Sequence, residues 1–203
     1  MGNKKSASFK DAVKFHGHSC PGLAVGYRVA TIALRELSSG RADDEEFVAV
    51  VENGACGIDA IQIICGCTAG KGNLIIRDRG KNVYTFYNRK TGKGVRIYAE
   101  PYYKDDDDDK RFIELAKKDV LTDSERKEKS EIKERRIKRI LTDPEEKYIK
   151  LGRPVGKMPG TARIFVSGRC DICGEKTAEP YLKKKDGKTV CPACSNELPG
   201  GEE

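Results

Sequence analysis

The strongest constraint on the fold is a pair of CxxC motifs in the last forty residues. Seventeen residues separate the first motif from the second, a spacing typical of four-cysteine zinc sites. Each motif brings two thiolates to one side of a metal, so two motifs complete a tetrahedron with no open position. We therefore predict a structural zinc ion bound by Cys170, Cys173, Cys191 and Cys194. Two redox-active cysteine pairs are the alternative.

The residues between and after these motifs predict how the zinc unit folds. Asp186-Gly187 is a two-residue hairpin signal, and Pro192 opens a short helix. Knuckle, hairpin and helix in this order form a treble-clef zinc finger, with a plain zinc ribbon as the nearby alternative. Residues 160–203 carry seven basic and seven acidic side chains. This neutrality weighs against nucleic acid as a partner, because proteins that bind nucleic acid present a basic face.

The eight cysteines of this 203-residue chain also bear on its compartment. The N-terminal segment has no apolar stretch followed by a small-residue cleavage site, so it does not resemble a secretory signal. No apolar run approaches the roughly 18 residues that span a bilayer. Cysteines in this setting favour metal or redox chemistry in a reducing compartment. We therefore expect a cytoplasmic protein without a membrane partner.

Apolar residues concentrate in residues 9–99, where their periodicity predicts a compact α+β domain. Two helices are expected, at 21–37 and 57–64. Four strands are expected, at 46–52, 73–78, 82–87 and 94–99, the last three as a meander joined by hairpin turns. The first helix has a smooth face for close packing, because small residues recur every four positions at Gly22, Gly26 and Ala30.

Residues 104–150 have a different character, with fifteen basic and fifteen acidic side chains. Five aspartates at 105–109 precede a predicted helix, whose dipole they would complement. A charged helix with a thin apolar stripe is expected at 123–141. The Asp-Pro-Glu-Glu sequence that begins at Asp143 predicts one more helix, running to Gly152.

These patterns divide the chain into three parts. The first is a core domain with a charged helical extension, residues 1–152, in which the extension is 104–152. A linker with two prolines and two glycines follows at 153–160, and the zinc finger occupies 161–203. The long charged helices would also allow a homodimer.

A second metal site is suggested by the FHGHSC motif. His16, His18 and Cys20 alternate, so an extended segment would point all three side chains to one side. Cys20 precedes a helix, whose dipole and free N–H groups favour a thiolate. We expect all the cysteines of this half to approach one another, with Cys56 and Cys67 completing a site for zinc or another late transition metal. Such a site could keep a position open for chemistry.

Structural alternatives exist for several of these residues. A buried free cysteine behaves as a small hydrophobe, which would explain Cys65 and is an alternative role for the cysteines of the site. Asp59 would either orient a ligand imidazole or cap its helix. Lys71, between two glycines, would either meet an anionic substrate or belong to a tight turn. The candidate catalytic residues are His18, Cys20, Asp59 and Lys71.

Two segments together resemble the FmdE family, which takes its name from formylmethanofuran dehydrogenase. They are FHGHSCPGLAVGYR at 15–28 and CGIDAIQIICGCTAGKGNLI at 56–75, supported by GK at 80–81 and TGKGVR at 91–96. The C-terminal cysteines resemble the treble-clef finger appended in some members. The resemblance implies a thioredoxin-like α+β core, with a mixed β-sheet flanked by helices. It also implies a metal-binding active site drawing on His16, His18, Cys20, Cys56 and Cys67, with Asp59, Gln62, Lys71 and Asn73 nearby.

The resemblance also implies a function. Members are often linked to the molybdenum or tungsten enzyme that reduces carbon dioxide onto methanofuran, so we expect a zinc-binding accessory protein of anaerobic one-carbon or redox metabolism, such as methanogenesis. Its partner would be a molybdenum or tungsten oxidoreductase complex. Nothing here resembles a pterin-binding catalytic component, so this chain alone is not the dehydrogenase. Two alternatives stay open: a zinc-finger module that recruits protein or nucleic acid, and a metal storage or delivery protein.

Overall fold

The computed structural model describes residues 7–101 and 106–195. It divides the chain into two compact units, Met1–Thr161 and Ala162–Glu203, and each unit has apolar residues clustered at its own centre. The N-terminal segment compared with signal sequences, the first of the five aspartates and the last eight residues of the predicted finger lie outside the described residues. None of the described helices is long and apolar enough to cross a membrane.

The first unit contains five helices and five strands among its described residues. The helices are α1 (Phe9–His16), α2 (Pro21–Glu36), α3 (Gly57–Cys65), α4 (Asp107–Ala116) and α5 (Asp123–Thr142). The strands are β1 (Phe47–Val51), β2 (Leu74–Ile76), β3 (Val83–Asn88), β4 (Lys93–Ala99) and β5 (Ile149–Gly152). The second unit contains β6 (Ser167–Arg169), β7 (Lys176–Ala178), β8 (Lys183–Lys185), β9 (Lys188–Val190) and α6 (Pro192–Ser195).

A five-stranded mixed sheet forms the centre of the first unit, in the order β2-β1-β3-β4-β5. Strand β2 runs parallel to β1, with α3 as the connection, and all other neighbours are antiparallel. The predicted mixed sheet flanked by helices is confirmed. The predicted meander is wrong in its first hairpin, since β2 pairs with β1 instead of β3. Strand β1 is buried at all five positions, so it takes the place between these two strands.

The chain after Pro144 forms a strand where a helix to Gly152 was predicted. One 3-10 turn, Glu145–Lys147, follows the proline. Strand β5 then pairs with β4 and places Ile149 opposite Ala99. This pairing extends the sheet and buries Ile149 together with Tyr148. Tertiary burial therefore outweighs the local helix signal, as it commonly does for β-branched and aromatic residues at a sheet.

Helices α2 and α3 pack at a glycine contact, which confirms the smooth face predicted for α2. A Cβ atom on Gly26 would lie 2.2 Å from the carbonyl oxygen of Gly57, so only hydrogen fits between the two backbones. A Cβ atom on Gly22 would instead meet the Cβ of Cys56 at an ordinary 3.4 Å. The contact places Cys20, at the start of α2, close to Cys56, at the start of α3.

Helices α4 and α5 are joined by ion pairs as well as by apolar contacts. Asp106 caps α4 by accepting a hydrogen bond from the N–H of Asp109, 3.0 Å away. Asp108, in the first turn, pairs with Arg135 of α5 at 2.7 Å. The aspartates therefore complement the helix dipole, as predicted, and also tie α4 to α5. The predicted apolar stripe of α5 is buried at Ile132, Ile137 and Ile140.

Candidate metal centres

The second unit is built around four thiols. Cys170 and Cys173 lie in the turn between β6 and β7, Cys191 follows β9, and Cys194 lies in α6. Their sulfur atoms all lie within 4.8 Å of one another, with 3.9 Å between the Sγ atoms of Cys173 and Cys191. Two sulfurs that each bind one tetrahedral zinc ion at about 2.3 Å lie about 3.8 Å apart. The donor set and its spacing therefore fit structural zinc.

Backbone geometry holds these thiols in place. The N–H groups of Cys173, Cys191 and Ile172 lower the pKa of Cys170 to about 6, which favours the thiolate that zinc requires. Strands β8 and β9 form the predicted hairpin, and Asp186 and Gly187 both have positive φ angles, 49° and 77°, as a tight hairpin turn demands. The predicted order of knuckle, hairpin and helix is confirmed.

The second cluster lies where α1, α2 and α3 meet. His16 is the last residue of α1, Cys20 caps α2 and Cys56 precedes α3. One ligating atom from each of the three lies within 4.8 Å of the others, and 3.9 Å separates His16 Nε2 from Cys20 Sγ. All three side chains are half-buried, so the cluster is supported by the core and still reaches the surface.

Helix α1 is absent from the helices predicted above, and His16 is helical where an extended segment was expected. The sequence does contain a signal for this helix. Ser8 Oγ accepts from the N–H of Asp11 at 3.3 Å, and the Asp11 carboxylate accepts from the N–H of Ser8 at 2.7 Å. This reciprocal capping box starts a helix, and Gly17 ends it in the left-handed region, with φ at 91°.

Asp59 orients the imidazole of His16. Its Oδ2 lies 2.7 Å from His16 Nδ1, and its Oδ1 accepts from the side-chain amide of Gln62 at 3.1 Å. With Nδ1 held by a carboxylate, Nε2 is turned toward Cys20. Metal-binding histidines are commonly oriented in this way. One imidazole nitrogen and two sulfurs are a donor set that suits zinc or another late transition metal.

The environment of Cys20 differs from the one expected from its position at a helix N-terminus. Burial raises the pKa of Cys20, and the neighbouring thiol of Cys56 raises it further. The N–H of Leu23 donates to Cys20 Sγ at 3.3 Å and opposes this change, but burial has the larger effect. The expectation that the helix dipole alone makes Cys20 a thiolate is therefore wrong. Deprotonation here would be coupled to the binding of a cation.

Cys65 and Cys67 lie at the opposite end of α3 from Cys56. The nine-residue helix rises about 1.5 Å per residue, so roughly 13 Å separates its ends. Cys65 Sγ contacts the carbonyl oxygen of Ala30 at 3.7 Å, and Cys67 Sγ contacts that of Phe47 at 3.3 Å. Burial raises the pKa of Cys67 to about 12. The structure does not bring these two thiols to the cluster, so the expectation that all the cysteines approach one another is wrong.

The remaining predicted residues fall on both sides of α3. His18 is exposed, and its ring centroid lies 4.5 Å from that of His16, so it borders the cluster. Lys71 lies at the far end, where its Nζ donates to the carbonyl oxygens of Asp43 and Asp44 at 3.2 and 3.1 Å. These bonds fix the loop before β1. Lys71 therefore belongs to a structural turn, one of the two roles considered above.

Replacing Asn73 with alanine should destabilise the fold and leave the cluster unchanged. Asn73 is fully buried. Its amide donates to the carbonyl oxygen of Phe47 at 2.8 Å and its Oδ1 accepts from the N–H of Thr68 at 2.9 Å. Each buried group left unpaired costs about 1–3 kcal/mol. Thermal melting should show a Tm lower by several degrees. Loss of metal from a folded Asn73→Ala protein would contradict this structural role.

Known proteins that resemble this chain share its fold and its motifs. Residues 15–150 match the family described as FmdE, molybdenum formylmethanofuran dehydrogenase operon, and residues 164–198 match the prokaryotic dksA/traR C4-type zinc finger. A crystal structure of an FmdE-like protein of tungsten formylmethanofuran dehydrogenase from Syntrophus aciditrophicus has a TM-score of 0.61 at 23% identity. The match covers 97% of each chain, and it shows the fold.

A curated relative is named as a probable S-adenosyl-L-methionine-binding protein of Archaeoglobus fulgidus. It is 33% identical over 198 residues, which cover 91% of this chain and 51% of the relative. The chain therefore spans about half the length of that protein. The family match, in contrast, extends over well more than half of the chain itself. The protein belongs to the FmdE family and ends in a four-cysteine zinc finger.

Proposed function

We propose that this protein is an accessory protein of anaerobic one-carbon or redox metabolism, whose core binds a transition-metal ion through His16, Cys20 and Cys56. The contact between His16 and Asp59, 2.7 Å long, is the main support. It fixes the imidazole with its free nitrogen toward the two thiols, in the way that carboxylates orient metal-binding histidines. A histidine that served only to fill space would not need this orientation.

Three protein ligands leave a fourth position of a tetrahedral ion open. The half-buried position of the three side chains would let a substrate or a partner protein reach that position. The bound ion would supply a Lewis acid there. His18, exposed beside His16, is placed to exchange protons with a group at the open side, since an imidazole titrates near neutral pH.

The partner we propose is a molybdenum or tungsten oxidoreductase complex. Support comes from the family description, which names the molybdenum formylmethanofuran dehydrogenase operon. The accessory protein would present its core ion to that complex. Co-expression with such an oxidoreductase from the same organism should yield a complex that co-migrates in size-exclusion chromatography. Separate elution of the two proteins at all salt concentrations would contradict this partnership.

Metal analysis tests the core site directly. Intact protein should contain about two metal ions per chain, one in each cluster. His16→Ala and Cys56→Ser should each lower this to about one, because each change removes one of only three core ligands. Cobalt substitution should give thiolate charge-transfer bands that these changes weaken.

The matched control is Cys65→Ala, which removes a thiol on the same helix as Cys56 but outside the cluster. It should keep both metal ions. Melting curves of all variants would show that a lost ion is not the result of unfolding. A single ion per chain, insensitive to His16→Ala and Cys56→Ser, would refute the core metal site and leave the zinc finger as the protein's metal centre.

Metal delivery is a second candidate, and the half-buried position of the core cluster favours it. An ion with three protein ligands and a path to solvent exchanges more readily than one enclosed by four thiolates. A chelator should therefore remove the core ion well before the finger zinc. Equal release rates would argue that the core ion is structural, and so against delivery.

A further inference from the structure

The outer face of the sheet, opposite the helices that bind the core, carries a row of charged side chains. Cross-strand pairing puts Val50 opposite Ile75 and Thr85, and Thr85 opposite Arg96, so these four side chains share one face. Alternation along the strands adds their neighbours two residues on, which are Glu52, Arg77 and Tyr87. Sequence patterns did not reveal this row, because the position of β2 in the sheet was predicted wrongly.

The segment at 153–160, predicted as a linker, lies across this face. Gly94 makes room for it, since a Cβ atom there would come within 2.7 Å of Pro154 and 2.8 Å of Tyr87. At the other end, Arg89 donates to the carbonyl oxygens of Pro159 and Gly160 at 2.5 and 2.6 Å. The segment is therefore held to the sheet at both ends, and the residues between form a wall.

The wall and the sheet enclose a cavity of about 270 Å³. This is slightly below the usual range of about 300–1,000 Å³ for small-molecule sites. Four cationic residues and one carboxylate line it, giving a formal excess of three positive charges: Arg77, Arg79, Arg96 and Lys157 against Glu52. The hydroxyls of Thr85 and Tyr87 add polar groups to the floor.

The carboxylate in the cavity neutralises little of this charge. Glu52 lies 3.9 Å from Arg79, at the limit of an ion pair. Within 7–101 and 106–195, Arg77 and Arg96 form no ion pair and no side-chain hydrogen bond. The arginines between α4 and α5 behave differently, as Arg135 shows by its pair with Asp108. Guanidinium groups that line a cavity without protein acceptors are available to bind an oxyanion.

We propose that this cavity binds a small molecule carrying a phosphate or diphosphate group, with Arg77 and Arg96 as the principal contacts. Strands β1 and β3 separate the two arginines. Neighbouring strands lie about 4.8 Å apart, so the two backbones are about 14 Å apart. An elongated anion reaches both guanidinium groups more easily than a single phosphate. The cavity is also walled by the 153–160 segment, which suits a small molecule better than a nucleic-acid backbone.

Calorimetric titration of the full chain with inorganic pyrophosphate and with inorganic phosphate tests the site. Saturable binding is expected for both anions, tighter for pyrophosphate. Arg77→Ala and Arg96→Ala should each weaken pyrophosphate binding about tenfold or more, since each removes a charge-assisted contact. In NMR spectra, the backbone amides of Gly156 and Lys157 should shift on titration, which would place the ligand under the wall.

Arg126→Ala is the matched control, because it removes the same charge from an exposed position on α5 and should bind pyrophosphate like the unmodified chain. Metal content should be unchanged in all three variants, so this test is independent of the core metal site. Absence of binding at about 1 mM pyrophosphate, where a Kd of that order would be detected, would overturn the proposal. So would binding that survives both cavity substitutions, or binding of single-stranded RNA without binding of pyrophosphate.

Discussion

Cys173→Ser should unfold the second unit and leave the first unit folded. The apolar cluster of the second unit consists of three cysteines with Val190 and Leu182, too little to fold a domain without a metal. A structural zinc ion in a small finger contributes about 10–16 kcal/mol of apparent binding free energy. Loss of one of its four ligands therefore removes most of what holds residues 162–195 together.

The expected result is measurable in three ways. Metal content should fall by about one ion per chain, proteolysis should cut within residues 162–195, and the melting transition of the first unit should keep its Tm. Ile172→Ser is the matched control, because Ile172 lies between the two knuckle cysteines with 58% of its surface exposed and binds no metal. A Cys173→Ser protein that resists proteolysis like this control would show that the second unit does not depend on zinc.

The zinc finger was the part of the chain most fully predictable from sequence. Its fold follows from covalent spacing: two CxxC motifs, a two-residue turn and a proline at a helix start act over a few residues each. The geometry of Asp186 and Gly187 depends only on that local turn. No long-range pairing has to be known, so the pattern and the structure agree.

The core cluster was predictable in part. His16, Cys20 and Cys56 could be named because each precedes or ends a helix at a recognisable signal. Cys67 was grouped with them because its distance along the sequence is short, yet α3 carries it to the other end of the domain. The orientation of His16 by Asp59 depends on how α1 packs against α3, and no local pattern contains that information.

Strand order was the least predictable feature. The sequence favours a hairpin between β2 and β3, because a turn signal separates two β-rich segments. The structure places β1 between them, since β1 is apolar at every position and is buried on both faces. Burial summed over a whole strand outweighs one turn signal. The basic cavity was missed for the same reason, as its residues share a face only in the observed order.

Gly26→Ala should destabilise the first unit more than any other single methyl group added to α2. The new Cβ would lie 2.2 Å from the carbonyl oxygen of Gly57 and 2.4 Å from its Cα. Both neighbours are backbone atoms, so no side chain can rotate away and the two helices must separate. Overpacking of a core costs about 1–3 kcal/mol and occasionally more, and we expect the upper end, about 3 kcal/mol, after the roughly 1 kcal/mol that alanine gains over glycine in a helix.

Gly22→Ala is the matched control for this prediction. It makes the same chemical change one turn earlier in α2, but its Cβ would meet Cys56 at an ordinary 3.4 Å, so its stability should stay within about 1 kcal/mol of the unmodified chain. Urea denaturation should separate the two variants clearly. Because the same helix contact sets the distance between Cys20 and Cys56, Gly26→Ala should also lose the core metal ion before it loses the finger zinc. Equal stability of the two alanine variants would show that the helices can move apart without cost, and that the glycine contact does not position the cluster.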